Sequence, residues 1–505
     1  MIHLDGSSIT LDQLAAIADG AEPVALAADA AARVDAARAV VDEKAAGDRP
    51  VYGVNTGFGA LAETAIPRDQ LGALQLNLLR SHAAGVGAPL PVRAVRASMA
   101  LRANVLAKGF SGIRRSTLEL LLELLNRGVH PVVPSRGSVG ASGDLAPLAH
   151  LALVLVGEGT ATVGRSAPLP GLEALRAAGL APVTLESKEG LALINGTQPS
   201  TAIAALAALG AAQIARAADV TAALSIDGLR GSMRPFDPRI HEARPHDGQR
   251  VSAANILALL QGSGINQSHQ DCKRVQDAYS LRCAAQVHGA ARDAIAFARR
   301  TLSIEANSAT DNPMVFGESG EIVSGGNFHG APIAIASDLL AIAVTQFATI
   351  SERRSDRLVN PVLSELPAFL TRASGLQSGY MIAQVTAAAL ASELKTLAHP
   401  ASVDTIPTSA NKEDHVSMSM GAALKAERAV EYAARVVAVE VLCACQAIDL
   451  LAPLTTSTPL SRAHAFVRAI APTLTDDRPP APDIEAIAAR ILDGSFATAC
   501  GMEVK

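Results

Sequence analysis

Long Ala- and Leu-rich segments with almost no charge constrain this fold more than any other feature of the sequence. Apolar residues recur in them at the spacing of an α-helix, and alternating β-branched runs are few. The segment 202–212 carries no charged residue on any face, which indicates burial on all sides within a multi-helix core. The sequence therefore predicts a mainly α-helical protein. The clearest helical segments are 90–108, 116–127, 201–223, 331–350, 381–398 and 422–450.

Glycine and proline clusters mark the places where the helical pattern lapses. A mixed portion rich in such loops gives way to long helices near residue 200. We therefore expect an N-terminal domain over 1–200 and a long helical bundle domain over 201–505, with a softer break near 452, where proline is frequent. The loop clusters lie at 53–59, 131–143, 190–199, 230–238 and 312–332.

The charge balance excludes two classes of partner. With 43 Lys+Arg against 48 Asp+Glu and no long basic run, the chain has nothing to neutralise a nucleic-acid backbone or an anionic membrane surface. The longest apolar stretches are expected to stop short of the roughly 20 residues that a bilayer requires, for example at Asp338. The first residues do not resemble a signal or transit peptide, so we expect a cytoplasmic protein with no nucleic-acid or membrane partner.

The five cysteines, an odd number in a long chain, favour reduced thiols over a disulfide framework. They are Cys272, Cys283, Cys443, Cys445 and Cys500. Cys443-Ala-Cys445 could suggest a metal, but the pair lies in an apolar helical run without a second pair of ligands at suitable spacing. We expect buried thiols there and no metal site.

The most distinctive loop is GSVGASGDLAPLAH at 137–150. Asp144 is predicted to cap the helix that follows, which would place Ala141-Ser142-Gly143 just before the positive end of that helix. Taken alone, such small residues usually form a tight turn. The usual phosphate-loop, zinc-protease and nucleophile-elbow signatures are missing from the sequence, so any chemistry requires another electrophile or nucleophile.

Eight sequence blocks resemble the aromatic amino-acid ammonia-lyase family, which includes histidine, phenylalanine and tyrosine ammonia-lyases and related aminomutases. The blocks follow the family's order over roughly residues 50 to 450, and the histidine lyases are the most similar. They are YGVNTGFG (52–59), RSHAAGVG (80–87), GSVGASGDLAPLAH (137–150), KEGLALINGTQ (188–198), QDAYSLRC (276–283), DNP (311–313), GGNFH (325–329) and SANKEDHVSM (409–418).

This resemblance implies a cofactor made from the chain itself. The backbone nitrogen of Gly143 would attack the carbonyl of Ala141, and two dehydrations, one of which removes the Ser142 hydroxyl, would give 4-methylideneimidazol-5-one (MIO). No external cofactor is expected. Such a group is needed because an α-ammonium is a poor leaving group and no ordinary side chain is an electrophile.

The resemblance also implies the catalytic roles. Tyr52 would be the general base, Tyr279 would take part in proton transfer near MIO, and Asn195 would donate to the MIO carbonyl oxygen. Arg282 would form a forked pair with the substrate carboxylate, for which a planar guanidinium is suited. The structural alternatives are tyrosines with satisfied hydroxyls, an Asn-Gly turn at 195–196 and a salt bridge at Arg282.

Ring specificity is expected to depend on Ser81, His82 and Glu413, while Gln276 and Phe328 would complete the pocket wall. A benzene ring would leave His82 and Glu413 unpaired, whereas an imidazole has two nitrogens that can donate to a carboxylate and accept from a neighbour. Histidine is therefore the expected substrate.

Two residues depart from the pattern common in histidine lyases: Lys412 stands where Gln is usual, and Tyr380 where Phe is frequent. Lys412 could be solvated, or it could pair with Glu413 and alter ring specificity.

The resemblance thus implies a homotetramer, with active sites built from three chains, that eliminates ammonia from L-histidine to give trans-urocanate. Three alternatives stay open: a tyrosine ammonia-lyase, an aminomutase of the same family, and a helical scaffold without catalysis. The intact Tyr52, Ser142, Asn195, Tyr279 and Arg282 argue against the scaffold.

Overall fold

α-Helices form most of the structure, as the Ala- and Leu-rich segments predict. The computed structural model of the chain describes residues 1–270 and 275–505. Predicted and observed helices agree closely: the segment predicted at 381–398 is a helix over Met381–Leu397, and the one at 422–450 is a helix over Ser419–Leu450. The mainly α-helical fold class is confirmed.

In chain order, the α-helices are α1 (Leu11–Ala18), α2 (Ala28–Ala46), α3 (Leu71–His82), α4 (Val92–Ala107), α5 (Arg115–Asn126), α6 (Leu145–Leu155), α7 (Gly171–Ala177), α8 (Glu189–Ile194), α9 (Gln198–Gly228), α10 (Pro238–Glu242), α11 (Asp247–Leu260), α12 (Gly264–Gln267), α13 (Tyr279–Arg282), α14 (Ala284–Glu305), α15 (Ala331–Val359), α16 (Pro361–Ser364), α17 (Met381–Leu397), α18 (Ser419–Leu450), α19 (Thr458–Ile470), α20 (Ala481–Leu492) and α21 (Ser495–Thr498). Short 3₁₀ turns lie at Gly59–Leu61, Arg68–Gln70, Arg234–Phe236, Ala368–Leu370 and Ser409–Asn411.

The chain folds into two compact units. The first comprises 1–206, 299–337 and 400–424, and the second comprises 207–298, 338–399 and 425–505. Segments 299–337 and 400–424 thus belong to the first unit. A single boundary at residue 200 would assign both of them to the bundle domain. The division at residue 200 stays a prediction.

Every strand that the structure describes lies in the first unit. These strands form four small sheets: a parallel pair of β1 (Ile2–Leu4) and β2 (Val24–Leu26), an antiparallel pair of β3 (Val86–Pro89) and β5 (Pro134–Arg136), an antiparallel sheet in the order β4 (Val129–Pro131), β6 (Thr160–Val163) and β7 (Leu169–Pro170), and an antiparallel pair of β8 (Met314–Phe316) and β9 (Glu321–Val323). In the first pair, Ile2 lies opposite Val24.

Three helices of the first unit pack against one another and place three of the sequence blocks together. Helix α6 contacts both α3 and α8, and α3 also contacts α8. Their apolar faces are fully buried, for example at Leu79 on α3, Leu148 on α6 and Leu193 on α8. Because α3 ends at His82, α6 begins just after the 137–144 loop and α8 ends just before Asn195, the packing brings these three chain ends into one region.

Helices α9 and α15 are more apolar than expected. By length and composition alone, both helices are long and apolar enough to cross a membrane. The expectation that the apolar stretches are too short to span a bilayer was therefore wrong for these two helices. In each helix, however, 72% of the 18-residue apolar window is buried inside the protein, which is also the pattern of a core helix. The uncharged residues 202–208 are all buried, as their composition predicts.

The cysteines in the described part of the chain are free thiols, and Cys272 lies outside it. Cys443 and Cys445 are fully buried on α18. Burial raises the pKa of Cys445 to about 12, and burial together with the nearby Glu440 charge raises the pKa of Cys443 further. Protonated thiols are poor metal ligands. Among the described residues, no group of three or more His, Cys, Asp and Glu side chains is placed to hold a metal.

A fully buried ion pair joins the long helices within the second unit. Arg354 on α15 donates from Nε and Nη2 to the two carboxylate oxygens of Glu440 on α18, at 2.5 and 2.9 Å. Ser225 Oγ on α9 donates to the same carboxylate at 2.6 Å. Arg354 Nη1 also donates to the carbonyl oxygen of Ser280 in α13 at 3.2 Å, so the pair supports the backbone between Tyr279 and Arg282.

We predict that Arg354→Met lowers the free energy of unfolding by about 3–5 kcal/mol, because it leaves the Glu440 carboxylate buried without its partner. The double variant Arg354→Met/Glu440→Met should recover much of this loss, since it removes both charges. Urea unfolding followed by circular dichroism measures both effects. A double variant as unstable as the single one would contradict this account of the pair.

Candidate active site

The 137–144 loop has a backbone conformation at residue 143 that favours glycine. Gly143 has a φ of +74° and pairs with Gly196 in an isolated parallel bridge. A Cβ added at Gly143 would lie 2.2 Å from the Gly196 carbonyl oxygen. The Asp144 amide donates to that same oxygen at 2.7 Å. The loop and the turn after α8 are therefore in direct backbone contact, with Ala141 and Gly143 buried.

Asp144 stands at the N-cap position of α6, but the predicted side-chain cap is wrong, because its carboxylate does not bind the first turn of that helix. It accepts instead from Ser138 Oγ at 2.6 Å and from the Ser200 amide at 2.8 Å. Ser200 lies in the first turn of α9, so Asp144 caps a different helix. Burial raises the pKa of this carboxyl, although both hydrogen bonds act in the opposite direction.

Glu413 lies directly beside the serine of the loop. Ser142 Oγ donates to Glu413 Oε1 at 2.7 Å, and Thr408 Oγ1 donates to Oε2 at 2.5 Å. The backbones of Thr408 and Glu413 also pair with each other. The segment that carries Glu413 is anchored to the loop itself, since the Met418 amide donates to Val139 O at 2.8 Å and Ser417 Oγ donates to Gly140 O at 2.9 Å.

His82 belongs to the same group of side chains. Its Nδ1 lies 2.9 Å from the Leu78 carbonyl oxygen and 3.0 Å from Ser81 Oγ. Burial lowers the pKa of His82, while the Leu78 carbonyl and the negative charge of Glu413 raise it. Since the carbonyl can only accept, Nδ1 carries a proton in this contact and Nε2 is left as the acceptor of a neutral ring.

The remaining predicted residues of the first unit have separate contacts. Asn195 is buried and donates from Nδ2 to the Asn312 carbonyl oxygen at 3.0 Å, while its Oδ1 has no hydrogen-bond partner among the described residues. Tyr52 Oη accepts from the Gly59 amide at 3.4 Å. Phe328 is half-buried.

Gln276, Tyr279 and Arg282 lie in the second unit. The Arg282 guanidinium carbon stands 4.5 Å from the centre of the Tyr279 ring, and the Tyr279 side chain is 71% exposed. Arg282 Nε is buried and lacks a hydrogen-bond partner in the described part of the chain. Gln276 lines a cavity of about 500 Å³ together with Arg230 and Asn266.

The two departures from the histidine-lyase pattern occupy different environments. Lys412 is exposed and Tyr380 is buried in the second unit. Burial raises the pKa of Tyr380, whose hydroxyl makes no hydrogen bond with a described residue. No ion pair joins Lys412 to Glu413 among the described contacts; the carboxylate binds Ser142 and Thr408 instead.

Sequence reasoning missed two buried polar features of the first unit, the Lys188–Asp311 ion pair and Arg102. Lys188 and Asp311 form a fully buried pair at 3.4 Å, and burial lowers the pKa of Lys188 despite the Asp311 charge. Both residues stand in the sequence blocks that resemble the family, so their motif positions were a usable signal. Arg102 on α4 lies outside these blocks. It is one of several arginines in that helix, and nothing in the sequence distinguishes it from the others.

The family model of aromatic amino acid lyases matches residues 9–469, and the chain belongs to this family. The resemblance found in the sequence blocks is thereby confirmed. Among its relatives, the histidine ammonia-lyase of Anaeromyxobacter sp. (strain K) is 58% identical over 501 residues, which cover 98% of this chain and 99% of that protein.

Solved structures agree with this assignment. The histidine ammonia-lyase from Trypanosoma cruzi superposes with a TM-score of 0.92 at 46% identity, covering 99% of this chain and 95% of that one. The tyrosine aminomutase from Streptomyces globisporus superposes with a TM-score of 0.94 at 38% identity, covering all of both chains.

Proposed function

We propose that this protein is a carbon–nitrogen lyase that eliminates ammonia from L-histidine to give trans-urocanate. The main evidence for histidine as the substrate is the position of Glu413. Its Oε1 lies 2.7 Å from Ser142 Oγ, and its charge raises the pKa of the His82 ring against the effect of burial. A carboxylate whose charge reaches an imidazole acceptor suits a substrate ring with two nitrogens. The names of relatives at 50–58% identity over nearly the whole chain support the same activity.

The proposed cofactor is MIO, formed from Ala141, Ser142 and Gly143, without an external group. The residues present fit it: the space beside Gly143 has no room for a Cβ, and Ser142 has the β-hydroxyl that must leave. When formed, MIO supplies the electrophile that activates the substrate for loss of ammonia.

The chain's own residues bind the substrate and move its protons. His82 and Glu413 would bind the imidazole, with Ser81 beside the His82 ring. Tyr52 would accept the β-proton, and the Gly59 amide that donates to Tyr52 Oη would stabilise negative charge on that oxygen. Asn195 Nδ2 has a second N–H, beyond the one bound to Asn312 O, for the ring carbonyl of the cofactor.

A further set of residues would orient the amino acid. Arg282 would pair with the carboxylate, Tyr279 would take part in proton transfer, and Gln276 and Phe328 would line the pocket. The buried ion pair at Arg354 supports the backbone of this motif through Ser280 O.

Assembly and location belong to the same proposal. We propose a homotetramer in which each active site draws residues from three chains, and a cytoplasmic location. Exposed apolar residues on α15 and α17, at Ile342, Ile382 and Val385, support association, because such surface is usually covered in an oligomer. The competing activities are those of a tyrosine ammonia-lyase and an aminomutase. The similarity to a tyrosine aminomutase, at 38% identity, is the reason to test them.

We predict that the purified protein is lighter than its sequence mass by two waters, about 36 Da, because the cofactor forms autocatalytically. Ser142→Ala should show no loss of two waters and should lose activity by several orders of magnitude. Ser135→Ala, in the strand before the loop, is the matched control and should keep the two-water loss. Active protein at full sequence mass would refute the cofactor.

Glu413→Gln should cut kcat/KM for histidine by at least about tenfold while sparing any turnover of tyrosine, because the amide keeps the shape but loses a charge-assisted bond worth roughly 1.5–3 kcal/mol. Glu318→Gln, at an exposed position, is the control. Ultraviolet assays with histidine, tyrosine and phenylalanine distinguish the products. Wild-type preference for tyrosine, or equal loss of both activities in the variant, would reject the histidine assignment.

Arg282→Lys should lower kcat/KM at least tenfold, about 1.4 kcal/mol, because a single ammonium cannot form the two-point pair with the substrate carboxylate. Arg239→Lys in the same unit, where the side chain is 87% exposed, should leave the value unchanged. An unchanged kcat/KM in Arg282→Lys would remove this residue from the site.

A further inference from the structure

Arg102 is a buried cation that forms no direct ion pair with any described residue. It lies on α4 with no exposed side-chain surface. Burial lowers its pKa to about 10, partly offset by the Asp311 charge, so the guanidinium stays protonated near neutral pH. A buried charge without a counterion is costly unless its donors are satisfied. Nε has no hydrogen-bond partner among the described residues, so the acceptors of Nη1 and Nη2 are informative.

All of its acceptors belong to one short stretch of chain. Nη2 donates to the Ala192 carbonyl at 2.6 Å, and Nη1 donates to the Asn195 carbonyl and to Gln198 Oε1, both at 2.7 Å. These atoms span the end of α8 and the start of α9. A Cβ at Gly196 would lie 2.4 Å from Arg102 Nη1, so the guanidinium packs directly against the turn between the helices.

The opposite side of this turn contacts the loop that would be cyclised. Gly196 pairs with Gly143, and its carbonyl oxygen accepts from the Asp144 amide at 2.7 Å. The turn at 195–197 is thus held between the Arg102 guanidinium and the backbone of Gly143. Any change in the position of the turn changes the orientation of the Gly143 nitrogen.

We propose that Arg102 is a positioning residue for formation of the cofactor, an inference that rests on the proposed function. By fixing the 195–197 turn, it holds the Gly143 nitrogen in the orientation from which it attacks the Ala141 carbonyl carbon. A bond from Gly143 N to that carbon forms, and the carbonyl oxygen leaves as one water with the hydrogens of the Gly143 and Ser142 nitrogens, which leaves a double bond from the carbon to the Ser142 nitrogen. The Ser142 hydroxyl leaves with the Ser142 α-hydrogen as the second water. No oxidant or reductant is required, and Arg102 touches none of the reacting atoms.

The test compares two buried arginines on the same helix. Arg102→Lys keeps the charge but cannot bind both backbone carbonyls at once. Arg96→Lys is the matched control, because Arg96 is also buried, its pKa is also lowered by burial, and it donates to the Ile17 and Leu125 carbonyls, which are not part of the loop or the turn. Both variants should lose some thermal stability.

The measurement is the rate of water loss from newly made full-length protein. After cell-free synthesis is stopped, samples are quenched over time and digested with trypsin. Cleavage after Arg136 and Arg165 releases the 137–165 peptide, and its mass is determined by mass spectrometry. We expect the two-water loss to be roughly tenfold to a hundredfold slower in Arg102→Lys, since a small misplacement of reacting atoms has effects of this order, and unchanged in Arg96→Lys. Circular dichroism and size-exclusion chromatography restrict the comparison to folded protein.

The outcomes separate the two proposals. If the wild-type peptide loses no water, the cofactor itself is refuted. If the wild type loses two waters and Arg102→Lys does so at the same rate, or if Arg96→Lys is slowed equally, the role of Arg102 is overturned. Should Arg102→Lys not fold, Gln198→Met removes one acceptor without leaving a backbone carbonyl unpaired. It should also slow the water loss, and a wild-type rate there would likewise overturn the inference.

Discussion

The backbone contact between Gly143 and Gly196 is the constraint on which the first unit depends. It requires glycine on both sides, because a Cβ at either position would meet atoms closer than 2.5 Å. Through it, the end of α8, the start of α6 and the start of α9 are fixed relative to one another, the last by the carboxylate of Asp144. Ser142 lies in the loop that this contact fixes, and Glu413 accepts a hydrogen bond from it.

Around this contact, polar groups form a hydrogen-bond network, although Arg102 Nε and Asn195 Oδ1 have no partner among the described residues. Asp144 accepts from a hydroxyl and an amide, Glu413 accepts from two hydroxyls, and Arg102 donates to three oxygens. In a low-dielectric interior, each such group restricts the geometry of its neighbours, because losing a partner costs the full desolvation penalty. The proposed cyclisation would need this rigidity, since it depends on the orientation of one backbone nitrogen.

The sequence predicted the helices well, because apolar periodicity and the absence of charge are local properties, as in 202–212. It also indicated the family, which the family model confirms, since motifs are local too. It could not predict which atoms a side chain reaches: Asp144 caps α9 instead of α6, and Thr408 binds Glu413. Arg102 was missed for the same reason, because its acceptors lie about 90 residues away along the chain. Segments 299–337 and 400–424 pack within the first unit although they are distant from residues 1–206 in the sequence. A local sequence pattern does not predict such long-range packing.

The hydrogen bond from Ser142 to Glu413 joins residues 271 positions apart. A ribosome adds about 5–20 residues per second, so Glu413 is synthesised roughly a quarter of a minute to a minute after Ser142. The 137–144 loop therefore emerges long before the segment that anchors Val139 and Gly140 exists. Its final geometry is set only when synthesis has passed residue 418, so the timing of translation, and not the loop sequence alone, limits how early the proposed cofactor could form.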